Sequence, residues 1–107
     1  MTMFNEREDA FERQFAHDEA LRFKATARRN KLLGLWAAER LGRTGDDAQA
    51  YAGSVVQADL QEPGDGDVLR KILRDLKDAG KPVDEAELKA KLEQLTARAV
   101  EEIKAGR

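Results

Sequence analysis

The sequence predicts an all-α protein, a four-helix bundle with a mobile, partly helical N-terminal arm. Apolar residues recur at spacings of three and four in four separate segments, and no stretch alternates apolar with polar residues as a half-buried strand does. The two prolines, Pro63 and Pro82, fall among small and polar residues between segments, where a ring without an N–H ends a helix.

Asn5 and Glu8 have capping-box spacing and open a helical pattern that runs to Leu41, with Gly42 suited to a left-handed helix end. After the turn RTGD, residues 46–61 carry Tyr51, Val55, Val56 and Leu60 at helical spacing until EPGDGD stops them. Asp67 is placed to cap a third helix whose Val68, Leu69, Ile72, Leu73 and Leu76 form an apolar stripe ended by Gly80. Asp84 and Glu87 make a second capping box for a fourth helix, in which Leu88, Leu92, Leu95, Ala99 and Ile103 follow a near seven-residue rhythm. Short connections make consecutive helices antiparallel. Gly34 and Gly53 each cost ~1 kcal/mol against Ala inside a helix, so both are expected to mark close helix contacts.

The apolar face of the first segment is broken. Projected at ~100° per residue, Phe4, Phe11 and Phe15 fall within ~40° of one another. Downstream, the same face meets Asp18, Arg22 and Arg29 before it turns apolar again at Leu33 and Trp36. Residues 1–20 therefore read as an arm continuous with helix one, and residues 21–107 as the bundle domain. A helix that short is marginal alone in water. Burying three Phe rings at ~1.5–3 kcal/mol each is enough to order it on docking. Two destinations are open: a crevice in another protein, or the chain's own bundle, whose core the stripe would complete.

At 107 residues the chain has room for one modest core. It contains no cysteine, which removes disulfides, thiol nucleophiles and cysteine-type zinc sites and suits a reducing cytoplasm. The start MTMFNERED resembles no secretory signal, and the most apolar window, KLLGLWAAERLG, is far short of the ~20 residues that cross a bilayer, so no membrane insertion is expected. The net charge of −2 conceals blocks of opposite sign. Residues 1–20 carry six acids and two bases, 21–43 one acid and seven bases, and 44–67 six acids and no base. Such blocks suit helices that complement one another, or a partner met through one block.

Chemistry-bearing residues are sparse. His17 is the lone histidine, so no zinc site is expected; beside Asp18 it has at most a pH-sensing role. Ser54, the only serine, has no base at a recognisable spacing, and no enzymatic activity is expected. EPGDGD reads as a turn and helix cap, because its carboxylates would repel a phosphate and the last calcium-ligand position falls on Leu76. The basic block Arg22, Lys24, Arg28, Arg29 and Lys31 suits a solvated or internally paired face; the alternatives for it are the phosphates of a nucleic acid, as in a nucleic-acid-binding helical module, or an acidic partner, and a nucleotide-sensing helical module is a separate alternative that needs a pocket between helices.

Three stretches, FAHDEALRFKATARRNKLLGLWAAERLG (15–42), AYAGSVVQAD (50–59) and EPGDGDV (62–68), carry a close resemblance to the zeta subunit family of alphaproteobacterial F-type ATP synthases, inhibitors of the ATPase. It covers essentially the whole chain. The resemblance implies a bundle that anchors an inhibitory arm, Met1 to about Ala20, with Phe4, Arg7, Glu8, Phe11, Phe15, His17 and Asp18 as partner-binding residues. The implied partner is the catalytic head: the arm enters a catalytic interface between catalytic and noncatalytic subunits around the central stalk and blocks rotation in the hydrolytic direction. It further implies a protein that uses no cofactor, binds no nucleic acid, is a monomer when free, and sits in the cytoplasm, peripheral on the membrane-bound synthase.

Overall fold

The computed structural model describes residues 18–61 and 65–106. Four helices follow in order: α1 (Glu19–Arg40), α2 (Gly45–Gln61), α3 (Asp65–Asp78) and α4 (Glu85–Lys104). No strand occurs among the described residues.

The helix ends are set by local chemistry. Asp18 is extended (φ −99°, ψ 103°), and its Oδ1 accepts from the Leu21 amide at 3.1 Å, satisfying one of the orphan donors of the first turn. The described helix therefore begins at Glu19 and does not run through Asp18, as the sequence pattern suggested; the Asn5–Glu8 capping box lies outside the described residues. At the other end, Gly42 (φ +79°) donates to the Glu39 carbonyl and Arg43 to that of Ala38. Gly80 (φ +74°) and Lys81 repeat this pattern on Lys77 and Leu76. Both are Schellman ends, in which glycine takes the left-handed conformation without a Cβ clash.

Two expected caps are corrected. The third helix starts at Asp65, two residues before the expected cap, so Asp67 sits inside the first turn, where it pairs with Arg70. There a carboxylate complements the positive end of the helix dipole. Asp84 does precede α4, yet its side chain makes no capping hydrogen bond. The box acid Glu87 instead reaches Arg40 of α1 at 3.2 Å.

Each helix buries one face. Leu33 and Ala37 of α1, Val55 of α2, Val68, Ile72 and Leu76 of α3, and Leu88 of α4 are fully enclosed. Each enclosed aliphatic contributes ~1.5–3 kcal/mol relative to exposure. Most apolar positions named from periodicity form this core, with Leu73 and Trp36 packed against it half-buried; Val56 and Ile103 are only partly buried and lie outside it, and the side chain of Leu60 lies outside the described residues. α1 is the spine, packing most extensively on α2 and then on α4, while α3 leans mainly on α2. Ion pairs show α1 and α4 to be antiparallel: Arg28, early in α1, meets Glu102, late in α4, and Arg40 meets Glu87 at the opposite end. The glycine expectation divides. Gly34 packs directly against Ala52 of α2, whereas a Cβ on Gly53 would meet nothing within 4 Å, so Gly53 marks no contact.

Candidate partner-binding site

Of the residues expected to meet a partner, Phe4, Arg7, Glu8, Phe11, Phe15 and His17 lie outside the described residues. Asp18 is described. It is exposed, and its carboxylate is engaged as the N-cap of α1, so it fixes the point where the preceding chain joins the bundle.

Directly after that cap lies a surface that the sequence reasoning missed. Phe23 is 59% exposed, the one large hydrophobic side chain so exposed among the described residues. It borders an open groove of about 680 Å³ between the start of α1 and the end of α4. Leu21, Ala27, Val56 and Ile103 supply apolar lining, while Lys24, Arg28 and Lys31 supply positive charge. A signal was present in the sequence: Leu21, Lys24, Arg28 and Lys31 recur at three and four, as Phe23 and Ala27 do, on a face distinct from the buried Ala25–Arg29–Leu33–Ala37 line.

That basic block is not one continuous surface. Arg29 is buried, and its Nε and Nη2 both donate to Oδ1 of Asn30, at 3.1 and 2.9 Å. Asn30 is itself enclosed, and the fork of two parallel donors suits a carbonyl acceptor in a low-dielectric setting. Arg28 is half-buried and pairs with Glu102 at 3.5 Å, and Glu102 also accepts from Arg98 at 2.9 Å. Arg22, Lys24 and Lys31 remain exposed. A row of cations tracking phosphates needs its members in solvent together, which this arrangement does not provide.

A second polar cluster sits across α2 and α3. The Tyr51 hydroxyl donates to Oδ2 of Asp75 at 2.8 Å, and Lys71 donates to the same oxygen at 2.9 Å. Arg43 and Lys71 lie over the Tyr51 ring at 5.4 and 5.2 Å from its centroid. Burial, and then the hydrogen bond and negative charge of Asp75, push the Tyr51 phenol well above its usual value of 10.0. For Asp75 burial acts upward, but the hydrogen bonds from Lys71 and Tyr51 and the charges of Lys71 and Arg74 outweigh it and hold the carboxyl below 3.8. The cluster is internally satisfied, which makes it a clasp between two helices.

No catalytic constellation forms among the described residues. Ser54 Oγ donates to the Tyr51 carbonyl at 2.6 Å, a back-bond within its own helix. No three or more His, Asp, Glu or Cys converge on a point there. Of EPGDGD, residues 62–64 lie outside the described residues and Asp65 opens α3. No described helix is long and apolar enough to cross a membrane.

Comparison with known proteins adds two findings. The family model of the ATPase inhibitor subunit zeta matches residues 1–102. A solved solution NMR structure is similar over 81% of this chain and 99% of its own, at 50% identity and a TM-score of 0.71. No curated protein matches the chain.

Proposed function

The chain belongs to the ATPase inhibitor subunit zeta family, and from that membership we propose that it restrains ATP hydrolysis by the catalytic head of an F-type ATP synthase as a non-enzymatic regulator. The arm, Met1 to Ala20, wedges at a catalytic interface between catalytic and noncatalytic subunits around the central stalk and opposes rotation in the hydrolytic direction. The bundle holds the head from outside and delivers the arm.

The observation that carries this reading is where the family match begins. It starts at residue 1 and so includes the Phe4, Phe11 and Phe15 stripe, upstream of the residue that caps α1. Three rings transferred from water to a protein crevice contribute ~1.5–3 kcal/mol each, which supports ordering a short segment on docking. His17 and Asp18 then stand where arm and bundle meet, the first as a wedge residue and the second as the hinge that caps α1.

The test is ATP hydrolysis by the purified head, titrated with the full chain and with a chain lacking residues 1–17 but keeping Asp18. Loss of inhibition with a thermal midpoint changed by no more than a few degrees is expected. Full inhibition by the shortened chain overturns the wedge. The full-length chain carrying Phe4→Ser, Phe11→Ser and Phe15→Ser is expected to inhibit as poorly as the truncated one.

A further inference from the structure

We infer that the groove between the start of α1 and the end of α4 is a resting berth for the chain's own residues 1–17, which occupy it when no head is bound and must leave it to inhibit. The link to inhibition rests on the function proposed above; the berth itself does not.

The backbone at Asp18 directs the preceding chain toward the groove. Had one helix run from Asn5 to Leu41, the leading residues would continue along the axis of α1, away from residues 21–31. Asp18 is extended instead, which breaks that axis at the cap and lets the preceding chain turn back along α1. Leu21, three residues beyond the cap, is already in the groove lining. At ~3.5 Å per extended residue, Phe15 reaches ~10 Å from Asp18 and Phe11 ~25 Å, so both rings come within range of Phe23, Ala27 and Ile103.

Groove and arm are chemically complementary. Phe23 with Leu21, Val56 and Ile103 offers apolar area that nothing described covers from the solvent side, and exposed Lys24 and Lys31 flank it. Residues 1–17 supply the complement: Met3, Phe4, Phe11 and Phe15 for the floor, and Glu6, Glu8, Asp9 and Glu12 against only Arg7 and Arg13 for the basic rim. A tethered segment also has an effective concentration on the order of millimolar, which a second copy at micromolar concentration cannot match. The groove is open, so it covers each ring on one side only. A berth of that kind holds weakly, as a segment that must transfer to a tighter crevice requires.

The absence of cysteine permits a clean test. Ala10→Cys, carrying a nitroxide, is placed in the full chain at dilute concentration, and paramagnetic broadening of backbone amides is read. Phe23, Lys31 and Ile103 are expected to broaden at least 3-fold more than Lys81 and Asp84 at the opposite end. The difference is expected to vanish when Phe4→Ser, Phe11→Ser and Phe15→Ser are added. Equal broadening at the two ends overturns the berth. So does broadening carried from a spin-labelled chain to an unlabelled ¹⁵N chain in a mixture, which assigns the groove to a second copy.

In ATP hydrolysis by the head, Phe23→Ser frees the arm and is expected to lower the half-inhibitory concentration ~5- to 10-fold, since a ligand gains in apparent affinity as its competent state gains in population. Ile103→Ser repeats the test from α4. An unchanged or raised half-inhibitory concentration in both variants overturns the competition. Groove broadening in a chain whose arm has no effect on hydrolysis supports the berth and sinks the wedge; no broadening with arm-dependent inhibition sinks the berth alone.

Discussion

Gly34 of α1 faces Ala52 of α2 so closely that a Cβ built on the glycine would stand 2.6 Å from the Ala52 Cα. Backbone atoms cannot yield as a flexible side-chain tip can, so any side chain at residue 34 forces the two helices apart. The cost of such overpacking, ~1–3 kcal/mol, exceeds the ~1 kcal/mol that alanine gains in helix propensity. Gly34→Ala is therefore expected to lower the urea midpoint. Gly53→Ala is expected to raise it by the equivalent of ~0.5–1 kcal/mol, because its Cβ enters open space. A stabilising Gly34→Ala would show that the helix crossing is looser than described.

The two N-caps differ in a measurable way. Asp18 accepts a hydrogen bond from the Leu21 amide; Asp84 makes none. Asp18→Ala is expected to cost ~1 kcal/mol and Asp84→Ala only a few tenths, the latter from the helix dipole alone. Equal losses in thermal melts would contradict the assignment of the first cap.

The Tyr51–Asp75 clasp predicts two pH effects. Tyr51 is the only tyrosine, so ultraviolet absorbance follows its ionisation without overlap. No phenolate band is expected at pH 10, where a free phenol is half ionised, and the band should rise only at higher pH or with unfolding. A titration midpoint at 10 would mean that the hydroxyl is free.

For Asp75 the folded value lies below the unfolded one, so its contribution is present above about pH 4 and is lost as pH falls through the folded value. Tyr51→Phe removes one of the bonds that hold the carboxyl low. It is expected to cost ~0.5–1.5 kcal/mol at pH 7 and to move the acid transition to higher pH. Asp75→Asn should flatten the acid limb of the stability curve.

The core and the groove separate in stability measurements. Ile72 is fully enclosed, and Ile72→Ala is expected to cost ~2–5 kcal/mol. Phe23→Ser, at an exposed site, should cost at most ~1–1.5 kcal/mol, which is what a berth worth ~5- to 10-fold in population contributes to the folded state. A large loss from Phe23→Ser would place that ring in the core and remove the groove as a berth.

Much of the fold was legible because its signals are local. Gly42 and Gly80 end helices by a left-handed residue, and both could be read from a glycine following a helical run. The stripe Val68, Leu69, Ile72 and Leu76 announced its own burial by period. The caps were less legible. Asp67 and Asp84 satisfy a pattern that several nearby residues also satisfy, and Glu87 had a partner on another helix that no local pattern contains. The candidate site was the least legible part, since Phe23 and Ile103 are 80 positions apart and become neighbours only once α1 and α4 lie antiparallel.

The sequence by itself determined the four helices found among the described residues, roughly where each stops, and which face of each turns inward, because periodicity, capping and turn chemistry act over a few residues. Tertiary structure alone decided which glycine is a contact, which cation of the RRNK run is buried, and that Arg28 meets Glu102 across 74 positions and Tyr51 meets Asp75 across 24. Those choices follow from how whole helices pack against one another, a long-range term that no short window of residues carries.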